Sequence, residues 1–201
     1  MRRGLGSAAT EFQRRVMRLY IGLVHYPVYN KNFQTIASAI TTLDVHDIAR
    51  LARTFDVKLF FVITPLEDQQ CLARRIYRHW TVGFGAEYNR HRKEAIELVR
   101  VVPSLDKAML AIGDKEGKAP LVIATAASRQ ERNRSISCEE ARCMIEDDLP
   151  VLLIFGTAWG LERALIDTAD YVLEPIRGRG SYNHLSVRAA VAIILDRLAG
   201  R

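Results

Sequence analysis

Only three of the 201 residues are cysteine, Cys71, Cys138 and Cys143, an odd number with no CxxC pair, so neither a disulfide framework nor a thiolate metal site is expected. No apolar run approaches the roughly 20 residues of a bilayer-crossing helix, and the N-terminal segment lacks the apolar stretch of a secretion signal. A cytoplasmic protein is the expectation. The chain also lacks a GxGxxG turn, and Gly113–Lys118 (GDKEGK) is followed by Ala119, which fails the GxxxxGK[ST] pattern of a phosphate-cradling loop. Both gaps weigh against a Rossmann-like nucleotide-dependent enzyme. No internal repeat or low-complexity segment is present.

Acid is scarce in one place. The first 18 residues hold Arg2, Arg3, Arg14, Arg15 and Arg18 against Glu11 alone, leaving 24 basic and 22 acidic residues in the rest. The net charge of +6 is therefore mostly that of the leading segment, and residues 1–17 read as a flexible basic arm or a misassigned start. Residues 18–201, with 49% of the whole chain hydrophobic, read as one globular domain.

What is present is a rhythm of short apolar runs and helical patterns. Leu19–Val24, Lys58–Thr64, Glu97–Val102, Pro120–Thr125, Val151–Phe155 and Ala169–Leu173 are mostly β-branched, too short for helices, and predict buried parallel strands. Helices are predicted over Asp44–Phe55, Leu66–Trp80, Ser104–Ile112, Cys138–Asp147, Leu161–Asp167 and Asn183–Leu198. Ser104 and Ser137 stand as caps, and Glu140 completes a capping box with Ser137. This alternation is that of an α/β fold, a mostly parallel sheet with helices on both faces. The last helix contains AAVAIIL (Ala189–Leu195), apolar on every side, and so needs cover from its own chain or from a second subunit.

One stretch combines cations with rings. Arg74, Arg75, Arg78, Arg90, Arg92 and Lys93 face a single acid, Glu87, among Tyr77, His79, Trp80, Phe84, Tyr88 and His91. Cations neutralise phosphates and flat side chains stack on splayed bases, which is what a single-stranded RNA surface requires. The other reading is a solvated helix and loop with Trp80 and Phe84 packed inward.

The last third carries two glycine-punctuated loops, IFGTAWGL (Ile154–Leu161) and LEPIRGRGSYNHLSVRAA (Leu173–Ala190), each after a strand. They resemble the second and third motifs of the SPOUT superfamily of S-adenosylmethionine-dependent RNA methyltransferases. From YIGLVHYPVYNK at Tyr20 onward the chain is similar to a small bacterial SPOUT family over roughly residues 17–200. The resemblance implies a deep C-terminal trefoil knot, a homodimer, S-adenosylmethionine as cofactor, no metal, and tRNA or rRNA as partner. It also implies a pocket bordered by Ala124, Thr125, Ala126, Gly156, Thr157, Gly160, Pro175, Ile176, Gly178, Gly180, Ser181, Leu185 and Ser186. Glycine suits such loops because the main chain can approach a ligand with no Cβ in the way.

The chain departs from the superfamily's ribose methyltransferases, which carry a glutamate in the second motif. Ala158 and Trp159 stand here instead, nearer the glycine-alanine-aromatic-glycine pattern of the large-subunit pseudouridine methyltransferases. The candidates for acceptor handling are Asn183, which would orient the acceptor or cap the last helix, Arg177, for a phosphate or carboxylate, and Glu174, a base if buried. Arg179 and Arg188 extend the cationic set, His184 titrates in a useful range, and Asp44, Asp47, Tyr26, Tyr29 and Asn30 are further candidates for an RNA-facing edge. A non-catalytic RNA-binding module of the same fold is the alternative function.

Overall fold

The computed structural model describes residues 17–128, 134–147, 149–180 and 182–200. The arginines of the leading arm other than Arg18, and Ser181 of the expected pocket, lie outside the described residues.

The first strand, β1 (Leu19–Val24), is buried at all six positions, as a continuous apolar run demands when both faces of a sheet are covered. Two short strands, β2 (Val28–Tyr29) and β3 (Thr35–Ile36), pair antiparallel just beyond it. Helix α1 (Thr42–Thr54) leads to β4 (Phe60–Ile63). Then come α2 (Glu67–Thr81), α3 (Phe84–Tyr88), α4 (Arg90–Ile96) and β5 (Val99–Val102). The second half runs α5 (Leu105–Glu116), β6 (Leu121–Thr125), β7 (Ser135–Ile136), α6 (Cys138–Glu146), β8 (Val151–Gly156), α7 (Arg163–Thr168), β9 (Tyr171–Leu173) and α8 (Val187–Ala199).

Seven strands form one sheet in the order β5-β4-β1-β8-β6-β9-β7, and every pair in it is parallel. Side chains alternate strictly between its faces. Leu19, Ile21, Leu23, Leu153 and Phe155 join α1, α2, α4, α6 and α8 on one side. Tyr20, Val24, Leu152 and Ile154 join α5 and α7 on the other. Each such buried aliphatic or aromatic side chain contributes about 1.5–3 kcal/mol, so the two apolar layers fix the register of the central strands.

All six expected strands and all six expected helices are present. The additional elements β2, β3 and β7 are two residues long, α3 five and α4 seven, too short for periodicity to register. Ser104 caps α5 through the Lys107 amide, and Ser137 with Glu140 forms a complete capping box on α6. Gly113–Lys118 is the end of α5, closed by Gly117 in the left-handed region (φ 72°). It cradles nothing.

Boundaries shift by up to four residues, as at the end of α5, which runs to Glu116, and at the start of the last helix. The last helix begins at Val187, capped by Ser186, whose side chain accepts from the Ala189 amide. Asn183 is therefore not its cap. Val191, Ile194, Leu195 and Leu198 are buried, while Ala192 and Ile193 on the remaining circumference are half-buried. Among the described residues no helix is long and apolar enough to cross a membrane.

Candidate cofactor and RNA site

Strands β8, β6 and β9 are immediate neighbours, so the three loops leaving their C-terminal ends open side by side at one edge of the sheet. In an open α/β sheet that edge is where ligands bind. Thr125 closes β6 with its hydroxyl donating to the Ile154 carbonyl (3.0 Å), which ties two of the three exits together. Ala126 packs with the α5 and α7 layer and Ile176 with the α1 and α8 layer, so the expected lining straddles the sheet edge.

The loop after β8 is held rigidly. A Cβ on Gly156 would lie 2.4 Å from the Leu161 nitrogen and 2.8 Å from the Gly160 carbonyl carbon, so only glycine lets this loop fold back on the strand end. That requirement comes from the chain itself. Gly160 (φ 102°) and Ala158 (φ 50°) complete the tight turn, closed by the Gly160 amide donating to the Thr157 carbonyl (2.9 Å). The segment after β1 straps it down, with Tyr29 N–H donating to the Gly160 carbonyl and Trp159 N–H to the Tyr29 carbonyl, both at 3.0 Å.

Thr157 points inward. Its hydroxyl donates to the Val24 carbonyl (3.0 Å) and lies 2.5 Å from the Ser38 hydroxyl, which in turn sits 3.0 Å from His25 Nδ1. Because the Thr157 proton is committed to Val24, Ser38 donates to Thr157 and His25 donates from Nδ1 to Ser38. Nε2 is then the unprotonated nitrogen, and it is buried without a partner. Burial pushes the His25 imidazole down to about 4, with Asp44 pulling weakly the other way, so the ring is neutral at physiological pH. Sequence reasoning passed over His25 and Ser38. The available signal was a histidine closing a wholly apolar strand.

The loop after β9 is open where the loop after β8 is closed. Cβ atoms at Gly178 and Gly180 would meet nothing within 4 Å, so this main chain is free to lie against a ligand. Pro175 and Ile176 are half-buried, and Leu185 is exposed. Arg177 and Arg179 are exposed and make no ion pair among the described residues. Glu174 is also exposed, without the burial its role as a base calls for. Asn183 donates from Nδ2 to the Ala127 carbonyl (2.6 Å), fastening the third loop to the first. Arg188, by contrast, is spent within the chain on Asp44 (3.5 Å) and Asp47 (3.6 Å). The three form one ion-paired group joining α1 to α8.

At the mouth of these loops three rings gather. Trp159 is 58% and Tyr182 78% exposed, and His184 lies between them, with ring centroids 6.5 Å and 5.2 Å away respectively. Tyr29 and Asn30 are held in their own turn, Tyr29 against Phe33 and Asn30 bonding Gln34, while Tyr26 stays half open.

The basic-aromatic stretch lies on α2, α3 and α4, with α2 and α4 on the α1 and α8 face, between β4 and β5 in the chain. Arg74, Arg75 and Arg78 are exposed along α2, Arg74 bonding Gln70. Arg90 pairs with Glu94 (3.5 Å) and Lys93 with Glu97 (4.0 Å). Arg92 lies over Trp80 at 4.6 Å, and His46 and His79 meet the same ring edge-on. Trp80 is thus packed inward. Phe84 is not: it is stacked with Tyr88 at 5.8 Å, both largely in solvent. Cys71 and Cys143 are exposed, Cys138 half-buried, and the described residues contain no cluster fit for a metal ion.

A family model described as SAM-dependent RNA methyltransferase matches residues 18–200. A tRNA (guanine-N(1)-)-methyltransferase of Oleidesulfovibrio alaskensis is 43% identical over 191 residues, 95% of this chain and 44% of that protein. The chain thus spans less than half the length of this relative. An uncharacterized protein of Aquifex aeolicus is 38% identical over 183 residues, 91% of this chain and 89% of that one. The Aquifex aeolicus TrmH/SpoU tRNA modifying enzyme superposes with a TM-score of 0.55 at 15% identity, covering 92% of this chain and 75% of the other. That likeness establishes the fold.

Proposed function

The chain belongs to the family of S-adenosylmethionine-dependent RNA methyltransferases, and on that premise we propose that the loops after β8, β6 and β9 hold the methyl donor while cellular RNA, with tRNA the first class to test, presents the acceptor. The carrying observation is that three adjacent parallel strands end at one edge, where glycine locks the loop after β8 and leaves the backbone of the loop after β9 bare. The donor supplies a sulfonium methyl, which passes to a nucleophilic nitrogen or oxygen as the carbon–sulfur bond breaks and any acceptor proton leaves to a base.

Within this reading the chain's own residues divide the work. Ala124–Ala126, Gly156–Gly160 and Pro175–Gly180 offer main-chain donors and acceptors, with Ile176 and Leu185 as apolar walls. Of Thr157 only the main-chain carbonyl is left to a ligand, since its hydroxyl and its amide both donate to Val24. Ser186 likewise contributes main chain, its side chain being the α8 cap. Asn183 sets the spacing of the first and third loops, and Arg177 meets an anionic group of either ligand. The exposed Arg74, Arg75 and Arg78 form a second contact for the RNA backbone. The half-covered side of α8 suits a second copy of the chain, and a threaded C-terminal segment belongs to the same reading.

The tRNA class rests on the name of relatives more than twice as long, so the guanine N1 atom is not carried over to this chain. Incubating the chain and labelled S-adenosylmethionine with bulk tRNA and rRNA from a strain lacking its gene should label one RNA class. Donor binding without label in either class would favour a non-catalytic RNA-binding module.

A further inference from the structure

We propose that Trp159 and Tyr182, with His184 between them, form a stacking platform that receives an unpaired RNA base at the mouth of the cofactor loops. The proposal deepens the methyl-transfer reading and rests on it for the identity of the ligand.

Exposed rings are costly to leave in water, and an isolated one on a surface needs no explanation. Three rings from two different loops are another matter. Trp159 stands on the turn after β8, where Ala158 at φ 50° and the Tyr29 carbonyl, which accepts from the Trp159 amide, fix its backbone. Tyr182 and His184 stand on the loop after β9, which Asn183 pins to Ala127. The rings meet edge to face, at 67° and 68°, so they are not consumed in a parallel mutual stack. A splayed base offers a flat partner of matching size.

Charge selects among flat ligands. Arg177 and Arg179 lie on the same loop as Tyr182 with no ion pair among the described residues, and Leu185 adds apolar surface. Rings with adjacent unspent cations match a nucleotide in a single strand, the base on the ring and the phosphate on a guanidinium. A duplex keeps its base faces stacked and cannot use the platform. The exposed pair Phe84 and Tyr88, by contrast, stacks its own rings at 22° and belongs to α3.

The chain has two tryptophans, and the other, Trp80, is covered by Arg92 and two histidines. The difference in emission between wild type and W159F therefore reports on Trp159. The full chain is titrated with a mixed-sequence single-stranded RNA of about twelve nucleotides, long enough to reach the site, in wild type, W159F and Y182A. Both substitutions are at exposed positions, and thermal melts verify that folding is intact. Saturable quenching in the wild type, lost in W159F, with Y182A weakening RNA association about tenfold and S-adenosylmethionine affinity unchanged, supports the platform. Quenching that persists in W159F, RNA affinity unaltered in Y182A, or a loss confined to cofactor affinity overturns it. If the wild type binds no S-adenosylmethionine yet shows quenching that W159F abolishes, the platform stands and the transferase reading falls.

Discussion

The side-chain amide of Asn183 donates to the main-chain carbonyl of Ala127 across 2.6 Å, joining the loop that precedes the last helix to the loop that leaves β6. Two of the three loops of the candidate site are thereby held at a fixed separation by one hydrogen bond.

Replacing Asn183 with alanine removes that tie without touching the core, because α8 is capped by Ser186. A net loss of about 1 kcal/mol is expected in S-adenosylmethionine binding, or about fivefold in affinity, while the thermal midpoint changes little. Calorimetry on the purified variant checks it. Unaltered affinity would mean that the tie does not shape the pocket.

Two glycines make a contrasting pair. Gly156→Ala places a Cβ 2.4 Å from the Leu161 nitrogen, so the turn must shift, at a cost of about 1–3 kcal/mol in stability. Gly178→Ala meets no atom of the chain and should leave stability unchanged, yet weaken the cofactor if that backbone lies against it. Denaturant unfolding and cofactor titration of both variants separate chain packing from ligand contact.

His25 carries a pH signature. Its folded value of about 4 lies below the ordinary 6.5, so between those values the unfolded chain binds a proton that the folded chain refuses. Stability is complete above pH 6.5 and declines as the pH falls through 4, by up to roughly 3 kcal/mol from this group. His46 is also lowered by burial and contributes in the same direction. The difference between wild type and His25→Gln isolates the first residue: the variant's stability should fall less steeply from pH 7 to pH 4. Parallel curves would show that His25 does not titrate as described.

Arg75 and Arg78 are exposed on α2 with no ion pair among the described residues. Their joint replacement by alanine should weaken RNA association and lower the slope of log affinity against log salt by about 0.7–0.9 per lost phosphate contact, leaving cofactor affinity alone. Equal RNA affinity would remove α2 from the interface.

How legible the molecule was depended on the length of the signal. Buried parallel strands such as β1 and β8 are visible because both faces are covered and every position is apolar. The pairing of β2 with β3 was not, since two residues carry no period and tertiary contacts alone define them. The loops after β8 and β9 were legible from their glycines and from resemblance to known motifs, the loop after β6 only from its position at a strand end. Their interior was not: Arg188 reads as a free cation until Asp44 and Asp47 are brought beside it from α1, and Thr157 reads as a ligand contact until Val24 and Ser38 claim its hydroxyl. Long-range partners of polar side chains have no local signature.

The central claim is that the donor lies at the shared edge of β8, β6 and β9. Backbone amide resonances followed during addition of S-adenosylmethionine test it most directly. Shifts concentrated in Ala124–Ala127, Gly156–Leu161 and Glu174–Gly180 are the predicted result. Shifts concentrated on α2, α3 and α4, or at the opposite ends of the strands, would contradict it.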